Sequence, residues 1–152
     1  MTTPWTIEAR WIAPRRFEAH GPTPTVVRMD ARTNAGGEST GPTPMETVLI
    51  ALAGCTGMDV VGILAKMRAP LGGLTVRVMG ERAEIHPKVF TKIHVRYEAR
   101  GAGLTAAQVE RAVRLSQEKY CSVAAMLRPT VAITHETVLL DARDRACEER
   151  AG

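Results

Sequence analysis

Between Pro44 and Arg68 the chain reads PMETVLIALAGCTGMDVVGILAKMR, a helical pattern with apolar residues on more sides than a surface helix needs. Thr43 is placed to cap this helix, Pro44 suits its first position, and Glu46 can return a hydrogen bond to the cap. From there to about Met67, the residues Val48, Leu49, Ile50, Leu52, Val60, Val61, Ile63 and Leu64 exceed a single stripe, so the helix is expected to be buried all round. One small sheet gives too little cover for that, and the remainder is expected from a second subunit. The longest run free of charge, Thr47 to Met58, falls short of the roughly 20 residues that span a bilayer, and no membrane span is expected.

The segments around this helix set the fold class. Trp5 to Ile12 alternates as a strand, with Trp5, Ile7, Ala9 and Trp11 on one face. A second strand near Arg16 and the run TVVRMDA, on either side of the turn HGPTP, extend it into a meander. The Gly-, Pro- and Thr-rich stretch 32–44 is a loop. Beyond the helix, Leu74 to Glu81 and Val89 to Glu98 read as paired strands, the latter with Val89, Thr91, Ile93, Val95 and Tyr97 on one face. A helix begins at Thr105 with Gln108 in capping-box position, CSVAAMLRP forms a short helix stopped before Pro129, and TVAITHETVLL is a last strand. The order predicts one α+β domain over residues 1–152.

Composition removes several function classes. A net charge of +4 with dispersed basic residues, and only two each of Trp, Tyr and Phe, gives nucleic acid no stacking platform. The opening MTTPWTIEARW alternates like a strand rather than a signal peptide, and three cysteines, an odd number, fit a reducing, cytoplasmic setting. His20, His86, His94 and His135 show no metal-ligand spacing, no CxxC occurs, and no GxSxG, phosphate loop or GxGxxG is present.

The cysteines carry the remaining information. Cys55 would by residue type be core filling, but it is flanked by Gly54 and Gly57, each costing a helix roughly 1 kcal/mol relative to Ala. That cost has a reason if backbone or substrate approaches closely there. Cys121 follows Tyr120 where two helices meet, and a thiol at a helix N-terminus is expected to be favoured as thiolate. Cys55 lies about ten residues into its helix and needs a cation instead, an Arg, for which Arg128 is a candidate. Asp59, one turn on from Cys55, would oppose its ionisation. Glu46 lies about 13 Å and half a turn from Cys55 on a continuous helix, which favours a capping role. Cys147, among the charges of the tail, is expected to be incidental.

The stretches GPTPMETVLIALAGCTGMDVVGILAKMR and LSQEKYCSVAAML, with their cysteines at 55 and 121, resemble the two signature regions of the OsmC/Ohr family, and GERAEIHPKVFTKIHVRYEARG resembles its branch related to YhfA. The similarity runs from about Trp5 to Leu140. It implies an intertwined homodimer, sheets wrapped around buried central helices, with active sites at the subunit interface. It further implies a thiol peroxidase for organic hydroperoxides, active in oxidative or osmotic stress. Cys55 would be peroxidatic, Cys121 resolving and Glu46 a possible supporting residue, and an Arg from the N-terminal strands, for which Arg28 and Arg32 are the candidates, would lie near the reactive thiol. No metal or cofactor is implied, only an external dithiol reductant, of lipoyl type in some relatives.

In that chemistry a Cys55 thiolate attacks the O–O bond, leaving a sulfenic acid that Cys121 condenses to a disulfide. The chain departs from the family in having Met45 directly after Pro44, where family peroxidases carry Glu; Glu46 comes one place later, rotated by about 100° on a helix. The alternative function is a binding protein of the same fold, holding a small hydrophobic ligand without turnover.

Overall fold

The computed structural model describes residues 2–143. It is α+β, as the element order predicts. The chain folds into two compact units, divided between Val48 and Leu49.

The N-terminal unit is built on a three-stranded antiparallel sheet, β1 (Glu8–Ile12), β2 (Arg16–His20) and β3 (Val27–Asp30), in that order. The expected meander is present, though β1 begins three residues after Trp5. Trp11 pairs with Phe17, and Phe17 with Met29, so one face carries a row of large apolar side chains. That row stays largely exposed, with Trp11 62% and Phe17 43% accessible.

After β3 the chain loops from Ala31 to Thr43, and Asp30 holds the loop. Its Oδ2 accepts the Glu38 N–H at 3.2 Å, the Thr40 N–H at 3.1 Å and the Thr40 hydroxyl at 2.8 Å. The loop delivers the chain to α1 (Pro44–Lys66) through a complete capping box. Thr43 N–H donates to Glu46 Oε2 at 2.7 Å, and Glu46 N–H donates to Thr43 Oγ1 at 3.3 Å.

From Leu49 onward, α1 belongs to the second unit. Its partners there include β4 (Gly73–Arg82), β5 (Phe90–Arg100) and β6 (Ala132–Leu139), which form a sheet with β5 in the centre. β4 runs antiparallel to β5 and β6 parallel to it. A parallel partner requires a crossover, supplied by α2 (Ala106–Leu115), a π-helical turn (Ser116–Tyr120) and α3 (Ser122–Leu127). The start of α2 is fixed by the predicted Thr105–Gln108 capping box, complete in both directions.

One expectation from the sequence does not hold. On β5 the buried residues are Phe90, Ile93, Val95, Tyr97 and Ala99, whereas Val89 and Thr91 are exposed. The cause is a β-bulge: Glu81 pairs with Lys92 but Arg82 with Phe90, leaving Thr91 as the extra residue and reversing the alternation. Gly80 opposite has no side chain because a Cβ there would lie 2.6 Å from the Phe90 ring. Within this chain, α1 is buried along one stripe, Leu52, Thr56, Val60 and Leu64, the rest of its cover being what the sequence assigns to a second subunit. Ile50, Met58 and Val61 are 56%, 78% and 47% accessible, because no described element of this chain covers that side. By length and composition α1 is also apolar enough to cross a membrane. Its polar residues Thr56 and Asp59, however, are bonded to β5 and the crossover.

The bonds from the Thr40 N–H, with further bonds from its hydroxyl and from Glu38, hold the Asp30 carboxyl below its ordinary value of 3.8. A lowered value means the loop gains stability that is present above the ordinary carboxylate range and lost as pH falls through the lowered one. An NMR titration is expected to place the Asp30 midpoint below 3.8, and a midpoint at or above 3.8 would show that these bonds do not favour the carboxylate.

Candidate active site

Cys55 lies on α1 between the buried Leu52 and Thr56, and its side chain is half-buried. Cys121 lies at the N-cap of α3, directly after the π-helical turn. That turn is closed by a bond from the Cys121 N–H to Ser116 O at 2.8 Å, five residues back, so its length sets where Cys121 emerges. The two elements bring Cys55, Asp59 and Cys121 together: one sulfur or carboxylate oxygen from each lies within 4.8 Å of the other two. Both cysteines are free thiols.

The expectation for Cys121 is half right. As a helix N-cap its Sγ does accept the Ala124 N–H at 3.4 Å, which favours the thiolate. Burial is the larger effect: Cys121 is 3% accessible, and desolvation, helped by Cys55 and Asp59, pushes it up to about 11. At neutral pH this is a thiol, and local backbone geometry loses to the surroundings.

Behind the thiols runs a chain of buried polar groups. Ser116 Oγ donates to Asp59 Oδ2 at 2.9 Å and lies 2.8 Å from Thr56 Oγ1. Thr56 Oγ1 is 2.6 Å from the Tyr97 hydroxyl, which accepts from Gln117 Nε2 at 2.6 Å. Arg128 completes the chain, donating to Gln117 Oε1 at 3.0 Å and to Gln117 O at 2.6 Å. Burial, opposed by these bonds, raises the Tyr97 hydroxyl above its ordinary value of 10.0 and keeps it protonated. The sequence pattern places Tyr97 on an apolar strand face and gives Ser116, Gln117 and Thr56 no role. Only the crossover brings residues from positions 56, 97 and 116 into one line.

The other predicted site residues stand as follows. Glu46 caps α1 and pairs with Arg32 at 3.2 Å, so both carboxylate oxygens are engaged within the N-terminal unit. Arg28 is bonded to Glu18, and Arg128 to Gln117. Of the three candidate arginines, Arg128 is the one joined to the thiol cluster, and it is joined through hydrogen bonds rather than to a sulfur. A side chain at Gly54 would meet nothing within 4 Å, and one at Gly57 would make ordinary contact with Val76 at 3.5 Å, so close approach within this chain does not account for Gly54. Cys147 lies outside the described residues.

Two sulfurs and one carboxylate oxygen make a three-donor set, and among the described residues no histidine joins them. A cavity of about 380 Å³ opens beside Asp59, walled by Met58, Ile63, Leu115, Lys66 and Arg111 among others. A recess of about 500 Å³ in the N-terminal unit, between Trp11, Phe17 and Met29, has no thiol in its wall.

The model of the family described as OsmC-like protein matches residues 36–136, which contain both cysteine stretches. The chain belongs to the OsmC-like family. Protein YhfA of Escherichia coli (strain K12) is 41% identical over 126 residues, covering 83% of this chain and 91% of YhfA. A crystal structure of a hypothetical protein from Aquifex aeolicus VF5 superposes with a TM-score of 0.76 at 30% identity, covering 91% of this chain and 99% of that one. The organic hydroperoxide resistance protein OsmC from Legionella pneumophila shares the OsmC-like fold at 15% identity, with a TM-score of 0.66 over 90% of this chain and 98% of that one.

Removing the Tyr97 hydroxyl strips Gln117 Nε2 of its short bond and leaves it only the longer 3.4 Å contact with Thr56 Oγ1. Tyr97→Phe is expected to cost about 1–3 kcal/mol, the range for stranding a buried polar group. Urea unfolding measures it, and an unchanged midpoint would show the chain of polar groups to be dispensable for stability.

Proposed function

We propose that this OsmC-like protein is a cysteine-based thiol peroxidase that reduces organic hydroperoxides as a homodimer. The observation that carries this reading is the placing of two free thiols from distant parts of the chain with sulfurs within 4.8 Å. Cys55 is the more accessible of the two and acts as the nucleophile. Its thiolate attacks the peroxide O–O bond, the departing alkoxide takes a proton and leaves as an alcohol, and Cys55 becomes a sulfenic acid. Cys121 then displaces the sulfenic oxygen as water, forming a disulfide that an external dithiol, such as a lipoyl group, reduces by exchange.

The part-apolar cavity beside Asp59 suits the organic portion of such a peroxide. The name of the Legionella relative supports the same substrate class. The homodimer is supported by the uncovered Ile50, Met58 and Val61 on α1, which a second copy would bury. Glu46, spent on its cap and on Arg32, has no assigned part in the chemistry.

Mass spectrometry of the reduced protein after one equivalent of cumene hydroperoxide tests the peroxidase reading. The expected product is a Cys55–Cys121 disulfide in the wild type, and a Cys55 sulfenic acid or higher oxide in Cys121→Ser. Unmodified thiols would overturn the reading, and ligand affinity surviving Cys55→Ser would then favour a binding protein. For the dimer, light scattering is expected to give twice the chain mass of 16.5 kDa, and Val61→Glu to shift it toward the monomer. A wild-type monomer at micromolar concentration would refute it.

A further inference from the structure

The polar chain behind the thiols has a direction. A hydroxyl has one proton to give, and a carboxylate none. Ser116 gives its proton to Asp59 Oδ2, so the 2.8 Å contact between Ser116 and Thr56 must be filled by the Thr56 proton. That leaves the 2.6 Å contact between Thr56 and Tyr97 to the Tyr97 proton. Tyr97 accepts from Gln117 Nε2, whose amide is oriented by Arg128 donating to its Oε1. Gln117 Nε2 also reaches Thr56 Oγ1 at 3.4 Å, and every donor in the line points from the Arg128 cation toward Asp59. Reversing the three hydroxyls leaves the Tyr97 proton without an acceptor, so Asp59 Oδ2 is the acceptor at the end of a line of aligned dipoles, beside two sulfurs.

We propose that Asp59 is the proton acceptor of the disulfide-closing step, taking the Cys121 thiol proton as Cys121 Sγ attacks the Cys55 sulfur and passing it to the leaving oxygen. With a sulfenic acid on Cys55, the S–S bond forms and the S–O bond breaks. The Cys121 sulfur is oxidised, the Cys55 sulfur is reduced from its sulfenic state, and the thiol proton leaves with the hydroxyl as water. The need for an acceptor is physical, because a buried Cys121 held near 11 supplies almost no free thiolate at neutral pH. A carboxylate is a weak base against such a thiol, but the proton ends on water, so transfer concerted with S–O cleavage runs downhill. Ser116, Thr56, Tyr97, Gln117 and Arg128 are positioning residues that act through Asp59.

Several ionisable groups face Asp59. Cys55 is on its own helix, and Lys66 and Arg111 from α1 and α2 share its cavity wall with Tyr120 from the π-helical turn. Tyr97 from β5 and Cys121 at the α3 N-cap complete the set, each coupled electrostatically to Asp59. Burial holds Tyr97 protonated above its ordinary value of 10.0 and Cys121 a thiol up to about 11. With Asp59 taking the proton within the step, closure does not wait on free Cys121 thiolate and is predicted to depend weakly on pH between 6 and 9.

The proposal takes its oxidant from the peroxidase reading, but the displacement itself can be watched without peroxide. In a Cys147→Ser background, so that Cys55 and Cys121 are the thiols present, one equivalent of 5,5′-dithiobis(2-nitrobenzoate) forms a mixed disulfide on Cys55. Attack by Cys121 then releases a second thionitrobenzoate, read by absorbance in stopped flow; it leaves as the stable aryl thiolate, so here the Cys121 proton passes through Asp59 to the solvent of the adjoining cavity. Asp59→Asn keeps an acceptor for Ser116 but cannot take a proton, and is expected to slow the second release about 100-fold at pH 7. Its rate should rise about tenfold per pH unit, against a nearly flat wild-type profile. Asp59→Ala is expected to be equally slow and to recover with added formate, a readout that a purely structural role would not move. Closure in Asp59→Asn as fast as in the wild type or faster, the outcome if Asp59 only repels the Cys121 thiolate, would overturn the proposal. So would a failure of formate to rescue Asp59→Ala. If cumene hydroperoxide leaves Cys55 untouched while the second release still depends on Asp59, the proton assignment stands and the peroxidase reading falls.

Discussion

The hydrogen bonds that Thr56 makes to Tyr97 and Ser116 join the three parts of the second unit that carry the site: the long helix, the central strand and the crossover. A helix with so many apolar residues could settle on a sheet in several rotations at similar hydrophobic benefit, because apolar burial is non-directional. Hydrogen bonds of 2.6 and 2.8 Å are directional, and a buried hydroxyl left without a partner is costly. They select the rotation in which Leu52, Val60 and Leu64 point inward with Thr56, and the same rotation places Cys55 and Asp59 beside the start of α3. Specificity of packing and assembly of the thiol cluster thus come from one buried contact.

The cluster itself is a compromise between two demands on sulfur. Resolving chemistry needs Cys121 within reach of Cys55, which the crossover achieves by burying it. Burial then withholds the ionised form that a nucleophile needs. The single N–H from Ala124 at 3.4 Å is too weak to reverse this. The line of hydrogen-bonded hydroxyls ends on Asp59, which stands beside both sulfurs.

What the sequence made legible follows the range of each interaction. Both capping boxes were readable, because Thr43 with Glu46 and Thr105 with Gln108 interact within one turn, and both helix starts were placed correctly. Strands were found by alternation, and the phase of β5 was lost only at the bulge, where one residue loops out against Arg82. Composition told how apolar α1 is, and the side its own chain leaves open, with Ile50, Met58 and Val61, is the cover the sequence assigned to a second subunit. Family resemblance pointed to Cys55 and Cys121, and the structure puts them side by side. The Asp59–Ser116–Thr56–Tyr97–Gln117–Arg128 line was not readable, since most of its links join positions far apart in the chain and Tyr97 looks apolar by its place on a strand.

The π-helical turn from Ser116 to Tyr120 has a consequence for how such a sequence can drift. Its five-residue hydrogen bond holds one residue more than an α-turn would, and the side chains of Ser116 and Gln117 face inward while Cys121 starts the next helix. Losing one residue there would swing everything downstream by about 100° and withdraw Cys121 from Cys55. Substitutions at the exposed Glu118 and Lys119 leave that geometry intact. Selection on this segment therefore bears on its length before its composition, and a single-codon deletion is more damaging than most exchanges of residue.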